Sequence, residues 1–144
     1  VSVVLVWEGA GGDWCLWDKG DAIMMALALG KAQELFVVLS VTFIQFILDQ
    51  GYQLRYGETF RPQEMQDIYY QRGSTKTKNS QHTKKLAIDL SLFKDGVYLT
   101  APSHYTTLGV YWEGLDPHCY WGGRIPKLVD ANHFELRQSP RPGI

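Results

Sequence analysis

The stretch KLAIDLSLF, Lys85 to Phe93, alternates without a break. Leu86, Ile88, Leu90 and Leu92 fall on one side, and Ala87, Asp89 and Ser91 on the other. A period of two is that of a β-strand with one face on a core. Such a strand leaves Asp89 projecting from the opposite face of a rigid element, where a ligand is best held.

Working outward, KDG (Lys94 to Gly96) is a hairpin turn into a second short strand, Val97–Leu99. Upstream, Gly73 to Gln81 is polar, rich in Ser, Thr, Lys and Asn, and reads as loop. RPQEMQDIYYQRG (Arg61 to Gly73) has proline in its first turn and glycine at its end, the punctuation of a short helix. YQLRYGETF (Tyr52 to Phe60) alternates as a strand. From about Ala26 to Gln50 the pattern is helical, with Gly51 placed to end it. Downstream, residues 103–115 contain a helix, Trp121-Gly122-Gly123 makes a tight turn, and His133 to Leu136 forms a last short strand with His133 and Glu135 on one face. Interspersed helices, strands and hairpin signals describe a small single α+β domain with an antiparallel sheet and flanking helices.

The chain of 144 residues is long enough to bury a core without staples. Fourteen basic and fifteen acidic residues leave a net charge of −1, which argues against nucleic acid as a partner. Lys76, Lys78, Lys84 and Lys85 cluster in the polar loop and read as solvated. Cys15 and Cys119 form no metal-knuckle spacing and are read as two free thiols. The most apolar run, LFVVLSVTFIQFIL (Leu35 to Leu48), is shorter than the ~20 residues a bilayer requires. It reads as a buried core helix, with no stable membrane insertion. Residues 1–24 lack a basic leader and a small-residue cleavage site. They read as an upstream extension, an appended remnant or a short strand-and-loop element.

Two acid–histidine pairs carry the chemistry. His82 and Asp89 lie in SQHTKKLAID, and Asp130 and His133 in DANHFE. Hydrolytic zinc takes three ligands from His and Asp/Glu and keeps a fourth position open. His82, Asp89 and His133 supply that set. A separate carboxylate must accept a proton from water and pass it to the leaving amine, and Asp130, three residues before His133, is placed for it. Arg61, at a strand–helix junction, is placed to stabilise an oxyanion or hold a substrate carboxylate. Each residue also has an ordinary explanation. Asp89 on a polar strand face is normally just exposed, Asp130 can form a turn, Arg61 can pair on the surface, and Glu135 can be a solvated strand residue.

SQHTKKLAID followed by DANHFE resembles the signature of the VanY-like zinc D-alanyl-D-alanine carboxypeptidase and phage endolysin (L-alanyl-D-glutamate peptidase) family: Ser-x-His-x-x-Gly-x-Ala-x-Asp with a downstream Asp/Glu-x-x-His. Ser80, His82, Ala87, Asp89, Asp130 and His133 match it. GETFRPQEMQ is similar to the segment carrying the family's substrate-binding arginine, and WGG to its turn before the last ligand. The match runs from about Leu35 to Leu136, and NSQHTKKLAIDLSLFKDGVYLT is most like the endolysin branch.

The resemblance implies a hedgehog/DD-peptidase-like fold over residues 25–138, with 139–144 as a tail. It implies one zinc per chain on His82, Asp89 and His133, with Asp130 as base and Arg61 as clamp. Ser80 would support the loop of the first ligand, and Glu135 would buttress a ligand from behind. Trp121, beside the glycine turn, is a candidate wall of the substrate cleft. His104 and His118 match nothing in the motif and are read as non-ligands. Lys85 stands where many members carry glycine, so the turn between the first two ligands cannot depend on a left-handed glycine, and its shape is where this chain departs from the family pattern.

The implied function is a zinc peptidase cutting peptidoglycan stem peptides, an L-alanyl-D-glutamate endopeptidase of the phage type acting as a monomer. Alternatives are a D-alanyl-D-alanine carboxypeptidase and a non-catalytic zinc-containing wall-binding module. A phage lysin would stay in the host bacterial cytoplasm until released to the wall; otherwise the periplasm or envelope is expected.

Overall fold

A computed structural model describes residues 26–125 and 129–142 in full, and the backbone of 3–7 and 14–18. The latter form an antiparallel hairpin of β1 (Val3–Trp7) and β2 (Trp14–Asp18), with Val3 opposite Asp18. The other residues of 1–24 lie outside the described residues.

The main domain is an antiparallel sheet in the order β3 (Gln53–Tyr56), β4 (Ala87–Lys94), β7 (His133–Leu136), β6 (Cys119–Trp121), with β5 (Val97–Leu99) pairing with β4. Three helices accompany it: α1 (Leu29–Asp49), α2 (Gln63–Gln71) and α3 (Thr106–Leu115). This is the small α+β domain expected. The alternation in β4 does what its pattern requires. Leu86, Ile88, Leu90 and Leu92 are buried, and Phe134, Leu136 and Cys119 join them from β7 and β6.

α1 and α3 close that face. Phe43 of α1 lies 4.7 Å, ring centre to ring centre, from Phe134 and 5.1 Å from Trp112 of α3. Trp112 Nε1 donates to the carbonyls of both Tyr120 and Glu135, so the largest core side chain buries no unpaired donor. Each of these rings contributes roughly 1.5–3 kcal/mol by burial. Cys119 is a free, buried thiol, as expected. Burial, chiefly, pushes its pKa far above the ordinary thiol value.

Several boundaries differ from the sequence reading. α1 is buried on one stripe only (Ala32, Phe36, Phe43, Ile47), and Val37, Val38 and Val41 face outward. The core helix expected here is buried along this stripe, since one sheet and one neighbouring helix cover only one side of it. It is long and apolar enough to cross a membrane by length and composition, yet its buried stripe lies in this core. The expected strand over 52–60 stops at Tyr56. The helix within 103–115 begins as a 3-10 turn, Pro102–Tyr105, before α3. The KDG turn has positive φ at both Asp95 and Gly96, as a two-residue type I′ hairpin demands.

Candidate metal centre

β4 ends its pairing with β3 in a bulge-like step that positions the site. Gly57 N donates to Asp89 O at 2.8 Å, and Asp89 N donates to Glu58 O at 2.9 Å, so two residues face one. A side chain at Gly57 would put its Cβ 2.9 Å from Asp89 Cβ, and only glycine allows this approach. The chain therefore leaves the strand at Tyr56 and turns across the polar face of the sheet. Arg61 N then bonds to His82 O at 3.2 Å.

His82 sits in a 3-10 turn, Gln81–Lys84, whose first amides are capped by Ser80: Ser80 Oγ accepts from His82 N at 3.3 Å. The turn ends at Lys85, which has φ 58° and ψ 38°. The left-handed conformation is thus present at this position although a lysine stands where glycine is usual. The turn must reverse between His82 and β4, and lysine adopts there the conformation that glycine would take at less cost, with its ammonium over the Phe60 ring at 5.2 Å.

Across the ladder, Asp89 pairs in register with His133 and Ala87 with Glu135. Asp89 Oδ1 lies 3.0 Å from His133 Nδ1 and 3.3 Å from His82 Nε2, and the two ring nitrogens are 3.2 Å apart. These atoms form a nearly equilateral triangle. A tetrahedral zinc with bonds of ~2.0–2.1 Å sets its ligand atoms about 3.3 Å apart.

The hydrogen bonds behind the rings fix their lone pairs. His82 Nδ1 faces Thr59 O at 3.3 Å and His133 Nε2 faces Glu135 Oε2 at 2.8 Å. A carbonyl and a carboxylate only accept, so each outer nitrogen donates and each inner nitrogen turns a lone pair toward Asp89. Three acceptors converge with no donor among them, and a cation satisfies that arrangement. The residues fit a divalent metal of the zinc type.

Charge distribution agrees. Burial pushes the Asp89 carboxyl up, but the close approach of the His133 and His82 rings outweighs it and holds its pKa at about 2. Burial lowers that of His133, but Asp89 and Glu135 raise it to about 9. Without a metal, a proton on His133 takes the cation's place. Glu135, raised by burial, is brought below its ordinary value by His133 and Arg137.

Asp130 lines the same cleft, of about 760 Å³, with His82, Asp89, His133, Arg61, Tyr69 and Arg137. Its residue is exposed at the rim, yet loss of water around the carboxyl raises its pKa, against the lowering effect of His133. Gly122 makes the placement possible: a Cβ there would lie 2.3 Å from Asp130 O and 3.0 Å from His133 Cβ.

Arg61 also lines the cleft, but all three of its guanidinium nitrogens donate within the protein. Nε and Nη2 bind Glu58, and Nη1 binds Oε1 of the fully buried Gln66 at 2.5 Å. Gln66 Nε2 in turn donates to Thr77 O at 2.5 Å. Arg61 is therefore a fixed, partly neutralised charge, and Glu58 raises its pKa further.

Trp121 is corrected outright. It is buried, its Nε1 donates to Ala131 O at 2.8 Å, and it packs so closely on Gly109 and Gly123 that it belongs to the core and not to the cleft wall. The glycines beside it make room for its ring. Tyr69 provides the aromatic wall instead, with Arg61 over its ring at 5.0 Å. His104 is exposed and His118 pairs with Asp116 at 2.8 Å; neither joins the triangle.

No family model matches the sequence, and no curated protein does. Among solved structures the fold is similar to the Serratia marcescens L-Ala D-Glu endopeptidase ChiX. The TM-score is 0.56 at 25% identity, over 67% of this chain and 76% of that one. The domain has a peptidase-like fold. Glu58, Gln66 and Arg137 escaped the sequence reading, and Tyr69, expected with the other aromatics to belong to the core, lines the cleft. Glu58 stood three residues before Arg61, a spacing that permits such a pair only if the chain turns there.

Proposed function

We propose that this protein is a zinc-dependent peptidase that cuts peptidoglycan stem peptides between L-alanine and D-glutamate. The observation that carries this reading is the His82–Asp89–His133 triangle of acceptors, with Asp130 beside it, in the fold of an L-Ala–D-Glu endopeptidase. His82, Asp89 and His133 would hold the ion. When bound, zinc supplies a Lewis acid that polarises a peptide carbonyl and acidifies water.

The chain's own residues supply the rest. Asp130 takes a proton from the attacking water and returns it to the leaving nitrogen, and its raised pKa suits a carboxyl that must hold a proton between two steps. Glu135 accepts from His133 Nε2 and keeps the Nδ1 lone pair directed inward. Ser80 and Thr59 O do the same for His82 through its amide and its ring. Arg61, locked by Glu58 and Gln66, contributes a preorganised positive charge with nothing left to reorient. The partner in this reading is a stem peptide in the cell wall, reached by a phage-type lysin released from the host cytoplasm.

The test is digestion of defined stem peptides with zinc-loaded protein and mass analysis of the fragments. Products ending in L-alanine and beginning with D-glutamate support the proposal. Release of a terminal D-alanine alone would shift the function to a carboxypeptidase, and binding without cleavage to a wall-binding module.

A further inference from the structure

Two arginines line the cleft, and they differ in what their guanidinium groups have left to offer. In Arg61 every nitrogen already donates to Glu58 or Gln66. In Arg137 only Nε is engaged, donating to Glu135 Oε1 at 2.5 Å, and among the described residues Nη1 and Nη2 meet no acceptor. The group is nevertheless held in place. Its guanidinium carbon lies 4.0 Å from the centre of the Tyr120 ring, and its backbone nitrogen bonds to His118 O at 2.9 Å. Its side chain is 42% exposed, open to a ligand while anchored at its base. Continuing the alternation of β7, Arg137 follows His133 and Glu135 on the face that carries the site.

A guanidinium pinned at Nε with its two outer nitrogens free is a fork for a carboxylate. Three acids, Asp89, Asp130 and Glu135, line the cleft, and of its other cations Arg61 is already spent on Glu58 and Gln66. An acidic substrate entering that field needs a cation to meet it. The substrate of the proposed reaction brings one such group by its own chemistry. Glutamate has two carboxyl groups and the chain continues through only one, so a free carboxylate remains on the residue whose nitrogen departs.

Resting on the proposed function, we infer that Arg137 is the specificity residue of this cleft, binding the free carboxylate of the D-glutamate on the leaving side of the scissile bond. Lys76, the other cation of the wall outside the Arg61 cluster, is exposed on the 73–77 loop and is not part of this contact.

The experiment compares two synthetic peptides containing the L-Ala–D-Glu bond, one with the unused D-glutamate carboxyl free and one with it amidated. Both are supplied together to the same full-length, zinc-loaded preparation. The ratio of the two kcat/KM values does not depend on how much of the preparation is folded or metal-loaded. Wild type is expected to favour the free acid by roughly 10- to 100-fold, the worth of one charge-assisted hydrogen-bonded contact. Arg137→Gln is expected to bring the ratio near one by losing rate on the acid alone. Arg137→Lys keeps the charge and should retain part of the preference, and Lys76→Ala should leave the ratio within about twofold.

A binding readout accompanies it. Calorimetry on metal-free protein with a D-Glu-containing product fragment should show affinity that Arg137→Gln removes. Equal losses on both peptides would mean that Arg137 serves only to hold Glu135, and would overturn the inference. So would a wild type indifferent to amidation, or a ratio that moves in Lys76→Ala instead. A wild type that cleaves neither peptide would bring down the proposed function itself, an outcome distinct from a wild type that cleaves both alike.

Discussion

Asp89 and His133 stand directly opposite each other on β4 and β7, 3.0 Å apart from Oδ1 to Nδ1. The two motifs that carry the site are forty-odd residues apart in sequence, and this one rung of an antiparallel ladder joins them. A slip of one residue would turn His133 into the core and Phe134 out of it, so the apolar pattern that builds the core also sets the geometry of the His82–Asp89–His133 triangle.

Asp130→Asn separates the chemistry from the scaffold. The amide keeps the shape and removes the base, so hydrolysis is expected to fall by about 10²–10⁴-fold. Metal content and melting temperature should stay close to wild type. Activity within a few-fold of wild type would remove Asp130 from the mechanism.

Lys85→Gly tests the left-handed residue between the first two ligands. Relief of the Cβ clash at φ 58° outweighs the lost contact with Phe60 and the added flexibility of glycine. The expected gain is about 0.5–1 kcal/mol, a rise of a few degrees in Tm. Lower stability would mean that the lysine side chain contributes more than the backbone loses.

Gly122→Ala should act on the site through the backbone. The new methyl meets Asp130 O and His133 Cβ, and overpacking of this kind costs about 1–3 kcal/mol. Loss of activity greater than in an equally destabilised core variant such as Ile47→Val is expected, because base and ligand shift together. Parallel losses in the two variants would show that only general stability had changed.

Much of this arrangement could be read from the chain. The Leu86–Leu92 alternation marks β4 and its core face, and the resemblance of SQHTKKLAID and DANHFE to a family signature, more than their spacing, points to His82, Asp89, Asp130 and His133, which the structure brings to one cleft. The Glu58–Arg61–Gln66 clasp could not, because it exists only where Gly57 meets Asp89 across the sheet. Nor could the burial of Trp121: the same Trp-Gly-Gly suits a cleft wall or a ring packed onto glycines, and only the position of α3 decides. Arg137 carried no local signal either, since its meaning lies in outer nitrogens that meet no acceptor among the described residues.

The metal-free protein should show a defined pH response. His133, raised to about 9, contributes stability fully present below the ordinary imidazole value and lost as pH rises through about 9. Asp89, lowered to about 2, contributes stability present above the ordinary carboxylate value and lost as pH falls through about 2. Stability from this pair is therefore complete between about pH 4 and 6.5. Metal must displace the proton on His133, so binding at pH 7 should release about one proton and tighten with rising pH. Calorimetry in buffers of different ionisation enthalpy measures this, and binding without proton release would contradict the assignment.

The most direct test of the account is the metal content of the purified protein, measured beside His133→Ala after both are equilibrated with zinc at neutral pH. About one zinc per chain in wild type, lost in the variant, is the predicted result, and it would join the two motifs into one centre. No zinc in wild type, or the same zinc in both, would contradict it.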